Sequence, residues 1–311
     1  MNEKLISFII PCYNGELYIE RIIDSIFSNN ECNFEVIVVN DGSKDRSLLI
    51  LNGLSLKYSK LKVIDQVNQG ASSARNNGLR LAQGKYVCFL DVDDQVLIHN
   101  YEALVKCIDK DDLYLFNVLK SAEDKIYPYI QQTNPYKNKS QLLSDGQYFN
   151  APWGKLIRRS LLIKNNISFN TSLKIAEDLP WSIQVLESAS KIKTIDLDFY
   201  IYKTDNAAST TNSINANKFD SMWNTLVYTV EFCDNNKYSD VAYSLCAYQY
   251  MMNCSYTASS YDKYKIYYKK YNYLLKFHDY KRVKTVYRLN RIIGIRGCSI
   301  LLNKYLYRGG H

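Results

Sequence analysis

The first third of the 311-residue chain predicts an α/β fold with a mostly parallel central sheet flanked by helices. Continuous apolar runs, such as residues 5–11, alternate with segments whose apolar residues recur at helical spacing. Strands that are apolar at nearly every position are typical of a parallel sheet covered by helices on both faces. With 47% hydrophobic and 23% charged residues, the composition excludes a disordered or fibrous chain.

The elements of this third follow one another in regular order. Strands are predicted over residues 5–11, 34–39, 61–64 and 86–90, and helices over residues 18–27, 48–56 and 72–82. Later in the chain, strands are predicted over 113–119 and 192–202, a short helix after a turn within 153–164, and a helix over 178–189. Residues 121–150 are polar and predict a loop, and helical patterns dominate from residue 219 onward.

Three carboxylates, those of Asp91, Asp93 and Asp94, follow the strand over residues 86–90 directly. Negative charge at the end of a buried strand is costly unless a cation shares it. Hard carboxylate oxygens suit Mg²⁺ or Mn²⁺, whose other positions are commonly filled by substrate phosphates and water. The run therefore indicates a nucleotide-diphosphate site, and the alternative is an ordinary solvated acidic turn.

Two further strand ends and one helix carry suitable groups. Pro11 and Tyr13 follow the first strand, and an aromatic ring there could stack on a base or simply pack. Asp41 ends the second strand and could accept a hydrogen bond from a ring N–H or form an ordinary Asp-Gly turn. Arg75 could bind phosphate, pair with a site carboxylate or remain solvated. In an open α/β sheet these positions meet at the carboxyl edge.

These motifs together resemble the family 2 inverting glycosyltransferases, which have the GT-A fold. The sequences PCYN, VVNDGS, NQGASSARNNGL and FLDVDD occur in that family's order and approximate spacing. Further on, WGKLIRRS from residue 153 and AED from residue 176 resemble its acceptor-side motifs. The resemblance covers roughly residues 4–210.

The resemblance implies a role for each matching residue. Those expected to bind the donor are Pro11, Tyr13 and Glu16 in the nucleotide pocket, Asp41 at the base, Arg75 at the nucleotide or acidic motif, Asp91 at the ribose or sugar, and Asp93 at Mn²⁺ or Mg²⁺. Asp178 is expected to be the catalytic base, with Trp153, Lys155 and Glu177 on the acceptor side. An acidic helix start is the alternative for Glu177 and Asp178. The third metal ligand stays open between Asp205, Asn206, and diphosphate with water.

The implied organisation is a GT-A catalytic domain over residues 1–215 and a helical region over 216–311. The nucleotide-sugar half ends near residue 100, and the acceptor half runs from 101 to 215. The expected reaction moves a hexose, from a UDP-sugar by the resemblance, to a polyprenyl-diphosphate-linked saccharide in O-antigen or capsule synthesis. The alternatives are a teichoic-acid or protein-directed glycosyltransferase of this fold, or a nucleotide-binding scaffold without catalysis.

The C-terminal region is basic and rich in tyrosine. Residues 255–311 hold 13 Lys and Arg, two acids and 11 Tyr, which favours contact with an anionic membrane surface. The alternatives are nucleic acid, for which no recognised module is present, and a helical extension with a solvated basic face. With no secretory signal, no apolar span and unpaired cysteine spacing, we expect a cytoplasmic protein, peripheral on the inner face of the cell membrane.

Overall fold

The computed structural model describes residues 5–28, 33–122, 125–132, 136–148, 150–204 and 216–308. Its strands are β1 Ile6–Cys12, β2 Phe34–Asp41, β3 Leu61–Gln66, β4 Tyr86–Phe89, β5 Gln95–Val96, β6 Leu113–Ala122, β7 Lys125–Ile130, β8 Lys155–Arg158 and β9 Ile192–Lys203. Its α-helices are α1 Ile19–Phe27, α2 Ser47–Lys57, α3 Ala71–Leu81, α4 Tyr101–Cys107, α5 Lys139–Ser144, α6 Arg159–Lys164, α7 Asp178–Ser188, α8 Ala216–Asn236, α9 Asp240–Tyr256, α10 Tyr261–Lys270 and α11 Lys281–Arg308.

One mixed sheet joins the strands in the order β3-β2-β1-β4-β8-β6-β9-β5, and β7 pairs with β6 outside this path. The block from β3 to β4 is parallel throughout, and β6 pairs in parallel with β9. The antiparallel pairs are those of β8 with β4 and β6, of β5 with β9 and of β7 with β6. The predicted α/β fold with a mostly parallel sheet is therefore confirmed.

The core around the sheet is apolar and aromatic. Every residue of β2 is buried, and α1 buries an isoleucine stripe against the sheet. Phe8 packs edge-on to Phe34 with ring centroids 5.7 Å apart, and Phe199 packs edge-on to Phe116 at 5.2 Å. These rings fix strands distant in sequence relative to one another, which gives the carboxyl edge a rigid support.

The part of residues 121–150 that the structure describes contains regular elements, so the prediction of a loop is wrong there. This part holds the end of β6, the edge strand β7 and the short helix α5, whose first turn is capped by the Asn138 side chain accepting from the Gln141 N–H at 2.9 Å. Strand β7 is an exposed edge strand in which only the last residue is buried, and it contains Pro128, a residue that argues against a strand when the sequence is read alone. Within residues 153–164 the sequence predicts a turn followed by a short helix. The helix is observed as α6, but the strand β8 lies where the turn is predicted.

The chain forms two compact units, each of which is described separately. The first takes the described residues of 1–135, 151–172 and 184–212, and includes the sheet. The second takes those of 136–150, 173–183 and 213–311. The C-terminal helices thus belong to a unit that also draws on two earlier segments.

The tyrosine-rich run of the second unit is core. Trp223 is fully buried, and its ring lies 5.3 Å from Tyr267, 5.7 Å from Tyr268 and 6.2 Å from Tyr264. Tyr250 packs on the same indole from α9 at 6.0 Å. Packing in this core therefore explains why residues 264–271 contain so many tyrosines. None of the helices in the described ranges has the length and hydropathy needed to cross a bilayer.

Candidate active site

The carboxyl ends of β1, β2 and β4 lie side by side at one edge of the sheet. The register pairs Cys12 of β1 with Asn40 of β2, and Ile9 of β1 with Phe89 of β4. Each of these strands is followed by residues that the sequence predicts to bind donor. The parallel pairing thus brings the three predicted strand ends together, as open α/β sheets do at ligand sites.

Asp41 is held firmly at the end of β2. The residue is 3% exposed, and its carboxylate accepts from the Gln66 side-chain amide at 2.7 Å and from the Gln69 and Gly70 backbone N–H groups at 2.8 Å. Gly70 has φ +91°, a conformation that suits glycine, and it precedes α3. Three accepted bonds leave the carboxylate capacity for one more donor, such as a base ring N–H.

The loop after β1 is tied to the loop after β2 by reciprocal hydrogen bonds. Asn14, at φ +50°, donates its backbone N–H to Ser43 Oγ at 3.0 Å, and its side-chain oxygen accepts from the Lys44 N–H at 2.8 Å. The Glu16 carboxylate accepts from the Arg46 N–H at 2.9 Å. Glu16 therefore connects the two loops. The motif predicts Glu16 as a pocket residue and gives no indication of this contact.

Tyr13 and Pro11 take different places in this edge. The Tyr13 residue is 47% exposed, so its ring has room to contact a ligand. Pro11 is half-buried inside β1, where it lies opposite Val39 in the register. The packing alternative for Tyr13 is therefore disfavoured, and Pro11 shapes the strand end.

Arg75 of α3 pairs with the acidic run. Its guanidinium Nη2 lies 2.9 Å from Asp91 Oδ1, and the Arg75 side chain is only 8% exposed. The same guanidinium lies 5.3 Å from the ring centroid of Phe169. Asn76 next to it exchanges two hydrogen bonds with the Phe169 backbone, at 2.8 and 2.9 Å. Of the three alternatives that the sequence leaves for Arg75, the structure shows pairing with a site carboxylate.

Asp94 is a site residue to which the sequence assigned no role. It is fully buried, and its carboxylate accepts from the Lys203 N–H at 2.8 Å and from the Tyr200 hydroxyl. Burial raises the pKa of Asp94 well above its usual range, the charge of Asp91 adds to the rise, and the two donors offset it only in part. The third Asp was visible in the sequence, but its partner Tyr200 lies 106 residues further on.

Asp93 is half-buried, and its backbone carbonyl accepts from Arg21 Nη2 at 2.8 Å. The described residues contain no cluster of three or more acidic, His or Cys side chains arranged to hold a metal. The donor set nevertheless fits a Mg²⁺ or Mn²⁺ held by the Asp93 carboxylate with diphosphate and water, because such ions commonly keep few protein ligands. The open alternatives for the third ligand, Asp205 and Asn206, lie outside the described residues.

Trp153 and Lys155 are both interior residues of the first unit. Trp153 is 5% exposed and stacks on Tyr200 and Tyr202, with ring centroids 5.4 and 5.1 Å apart. Lys155 is 2% exposed, and its ammonium donates to the Ala151 carbonyl at 2.8 Å. Trp153 thus supports the ring of Tyr200, whose hydroxyl contacts the acidic run. The acceptor-side role of Trp153 and Lys155 stays a prediction.

Glu177 and Asp178 belong to the second unit, where Asp178 is the first residue of α7. Both are half-buried, and Ala176 before them has φ +57° and accepts from the Leu179 N–H at 3.1 Å. The Ile175 carbonyl is fixed by the Thr225 hydroxyl of α8 at 2.7 Å. A carboxylate in the first turn of a helix is stabilised in its ionised form, which suits a base. The catalytic role of Asp178 stays a prediction.

The profile of the family described as glycosyl transferase family 2 matches residues 7–165, which include the three strand ends. The chain belongs to glycosyl transferase family 2. Two similar proteins are an uncharacterized glycosyltransferase, EpsJ, of Bacillus subtilis strain 168, and the poly(ribitol-phosphate) beta-glucosyltransferase of Bacillus spizizenii strain W23. The first is 31% identical over 209 residues, 64% of this chain and 61% of that protein. The second is 34% identical over 207 residues, 63% of this chain and 32% of that protein.

Solved structures show the same fold over nearly the whole chain. The crystal structure of S. aureus TarS residues 1–349 in complex with UDP-GlcNAc superposes with a TM-score of 0.70, covering 98% of this chain and 92% of that one. Sequence identity is 22%, so this likeness establishes the fold. The expected GT-A architecture, with its helical C-terminal region, is confirmed.

Proposed function

We propose that this family 2 member is an inverting glycosyltransferase that moves a hexose from a UDP-sugar to a hydroxyl of a lipid-linked saccharide. The observation that carries the proposal is the shared sheet edge, where an exposed Tyr13 ring, the braced Asp41 carboxylate and the Arg75–Asp91 pair follow adjacent parallel strands. Tyr13 and Asp41 suit a base, and the Arg75–Asp91 pair suits the ribose or donor sugar beside it. The UDP-GlcNAc bound by the TarS fragment supports a UDP-sugar donor.

In this proposal each protein group has one task. Asp41 accepts the base ring N–H, Tyr13 stacks on the base, and Asp91, oriented by Arg75, holds the ribose or donor sugar. Asp93 would hold Mn²⁺ or Mg²⁺, which stabilises the negative charge that develops on the leaving diphosphate. Asp178 takes the proton of the acceptor hydroxyl as its oxygen attacks the anomeric carbon. The leaving nucleoside diphosphate departs on the opposite side, which inverts the anomeric configuration.

Two classes of acceptor are open to the proposed enzyme. A polyprenyl-diphosphate-linked saccharide, as in O-antigen or capsule assembly, fits a cytoplasmic protein that is peripheral on the inner membrane face. A poly(ribitol-phosphate) chain is favoured by the 34% identity to a poly(ribitol-phosphate) beta-glucosyltransferase and by the fold likeness to TarS. Both acceptors are anionic polymers or lipids, so transfer assays must decide between them.

The test begins with donor binding. Thermal shifts of the full chain are measured with UDP-, GDP-, dTDP- and CDP-sugars, each with Mn²⁺, with Mg²⁺ and with EDTA, because a ligand of the native state raises the melting temperature. We expect a shift with one UDP-sugar that requires the cation. Transfer from that donor is then followed by mass spectrometry on polyprenyl-diphosphate saccharides and on ribitol-phosphate oligomers, with Asp178→Asn as the inactive control.

The product's anomeric configuration is then read by NMR. An inverted linkage supports the proposal, and a retained one contradicts the single displacement with Asp178 as base. Binding of a nucleotide sugar without transfer or hydrolysis, with either acceptor class, would favour the non-catalytic scaffold instead.

A further inference from the structure

The last helix of the second unit, α11, presents two different faces. Its inner face packs in the core, where Val283, Val286 and Cys298 are at most 3% exposed. The Asn303 side chain also donates to the Ser255 carbonyl of α9 at 2.9 Å. The helix is therefore anchored along most of its length, and its outer face has a fixed orientation relative to α9.

The first half of the outer face exposes apolar side chains at helical spacing. Leu289 is 38% exposed, Ile292 is 80% and Ile293 is 44%. Positions i, i+3 and i+4 lie on one side of a helix, so the three form a continuous stripe. Arg288 and Arg291, which neighbour these residues in the sequence, are both exposed. Leaving an isoleucine this open in water forgoes the stabilisation that its burial would supply.

A second apolar stripe follows a break in the helix. Gly294 has φ +69° and ψ 165°, which is not helical, and a Cβ there would meet nothing within 4 Å. Glycine is thus required by the backbone conformation and not by lack of space. Beyond the break, Ile300 is 42% exposed, Leu301 52% and Tyr305 68%. Lys304 adds charge to this stripe.

The charge of α11 has a single sign. Residues 281–308 contain eight Lys and Arg and no Asp or Glu. Basic side chains beside exposed Ile and Leu are the pattern by which a helix lies in the interface of an anionic bilayer, with charges at the headgroups and apolar groups below them. A nucleic-acid backbone would match the charge but would gain nothing from burying Ile292.

We propose that the outer strip of α11, formed by Leu289, Ile292, Ile293, Ile300, Leu301 and Tyr305, inserts shallowly into an anionic lipid surface. The lysines and arginines of the helix bind the headgroups while the apolar side chains enter the boundary of the acyl chains. The inference deepens the proposed function, from which it takes the membrane setting, by assigning the contact to two exposed apolar stripes, one on each side of the break at Gly294. The buried tyrosines of residues 264–271 take no part in it.

Point substitutions test the strip better than truncation, because residues 264–275 include buried core side chains. The full chain is floated with vesicles of phosphatidylcholine containing phosphatidylglycerol, and with phosphatidylcholine alone, at low and high salt. One variant combines Ile292→Ser with Ile293→Ser, and another combines Arg288→Gln with Arg291→Gln. Leu56→Ser is the matched control, since Leu56 is an exposed apolar residue of α2 at 90%.

We expect the wild-type protein to float with the anionic vesicles and not with phosphatidylcholine alone. The isoleucine variant should lose at least about tenfold in affinity at either salt concentration. The arginine variant should lose about thirtyfold at low salt and less at high salt, because salt screens headgroup charge. Leu56→Ser should match wild type, and all variants should bind the donor normally.

Equal flotation of the isoleucine variant and wild type would overturn the assignment. The assignment would also be overturned if the wild type self-associated and the variant with Ile292→Ser and Ile293→Ser did not. The strip would then be an interface between two copies of the chain. Vesicle binding does not require turnover. If the wild-type protein binds the donor but does not float with anionic vesicles, only the lipid contact is refuted. Flotation without any nucleotide-sugar binding refutes only the proposed transfer.

Discussion

The Tyr200 hydroxyl lies between two groups of the acidic run, donating to the buried Asp94 carboxylate and accepting from the Asp91 N–H at 3.3 Å. One side chain of β9 thereby fixes the backbone at Asp91 and satisfies a carboxylate that has no access to water. The Asp91 side chain is fixed separately by Arg75. The geometry of the proposed donor site in the first unit therefore depends on a residue to which no ligand contact is assigned.

The first prediction concerns this hydroxyl. Tyr200→Phe keeps the ring that stacks on Trp153 but leaves Asp94 with one donor fewer, so the free energy of unfolding should fall by about 1–3 kcal/mol. Because the Asp91 backbone loses its acceptor, UDP-sugar affinity should also fall by about tenfold. Urea unfolding and calorimetric titration measure the two effects.

Tyr114→Phe is the matched control for the hydroxyl. Tyr114 is also fully buried in the first unit, and its hydroxyl accepts from the Asp109 and Asp111 N–H groups at 2.7 and 3.1 Å. It should lower stability to a similar extent and leave donor affinity unchanged. Equal losses of affinity in both variants would mean that Tyr200 acts on stability alone.

The second prediction concerns the metal. Asp93→Asn removes the carboxylate charge proposed to hold Mn²⁺ or Mg²⁺, so transfer should fall by about 100-fold or more. The thermal shift caused by UDP with Mn²⁺ should disappear, and EDTA should abolish it in the wild type. Asp24→Asn is the control, because Asp24 of α1 forms an exposed ion pair with Lys57 of α2, and it should change neither measurement. Full activity of the wild type in EDTA would refute metal dependence.

The third prediction concerns the base. Asp178→Asn keeps the shape of the side chain but cannot take a proton, so kcat should fall by about 10²–10⁴-fold while the donor dissociation constant is unchanged. Glu177→Gln alters the preceding carboxylate of the same helix start and should have a much smaller effect. If Asp178→Asn weakened donor binding as much as turnover, Asp178 would be a binding or structural residue.

The fourth prediction concerns acid stability. Burial alone would raise the pKa of Asp112, but hydrogen bonds from Ser190 and Lys191 and the charge of Arg158 outweigh burial and hold this pKa below its usual range. A lowered folded-state pKa means that the ionised group stabilises the fold above the ordinary Asp pKa. That stabilisation is lost as pH falls through the lowered value.

Asp112→Asn should therefore reduce the free energy of unfolding by about 1.5–3 kcal/mol near neutral pH. The difference from wild type should shrink as the pH falls below the ordinary Asp range, because the wild-type carboxylate then also becomes neutral. Urea unfolding of both proteins at a series of pH values from 7 to about 3 gives this difference. A difference that is constant with pH would show that the charge of Asp112 is irrelevant.

The N-terminal half could be predicted from the sequence because its signals are local. The strand predicted over residues 5–11 is observed as Ile6–Cys12, since buried parallel strands are apolar on both faces. The edge strand β7 is not predicted, because Pro128 interrupts its apolar residues and nothing local indicates the pairing with β6. Neither the burial of Lys155 nor the contact of Tyr200 with Asp94 follows from local pattern, because each depends on residues brought together only by the tertiary fold.

The second unit is assembled from three stretches that are far apart in the chain. Tyr148 donates to the Ser182 carbonyl at 2.7 Å, and Ser140 and Ser244 both donate to the Asp279 carboxylate. During synthesis, residues 136–150 and 173–183 leave the ribosome well before the helices that bury them. Their buried side chains therefore lack these partners until the end of the chain is made, and we expect nascent fragments ending near residue 215 to expose apolar surface and to aggregate more readily than the full chain.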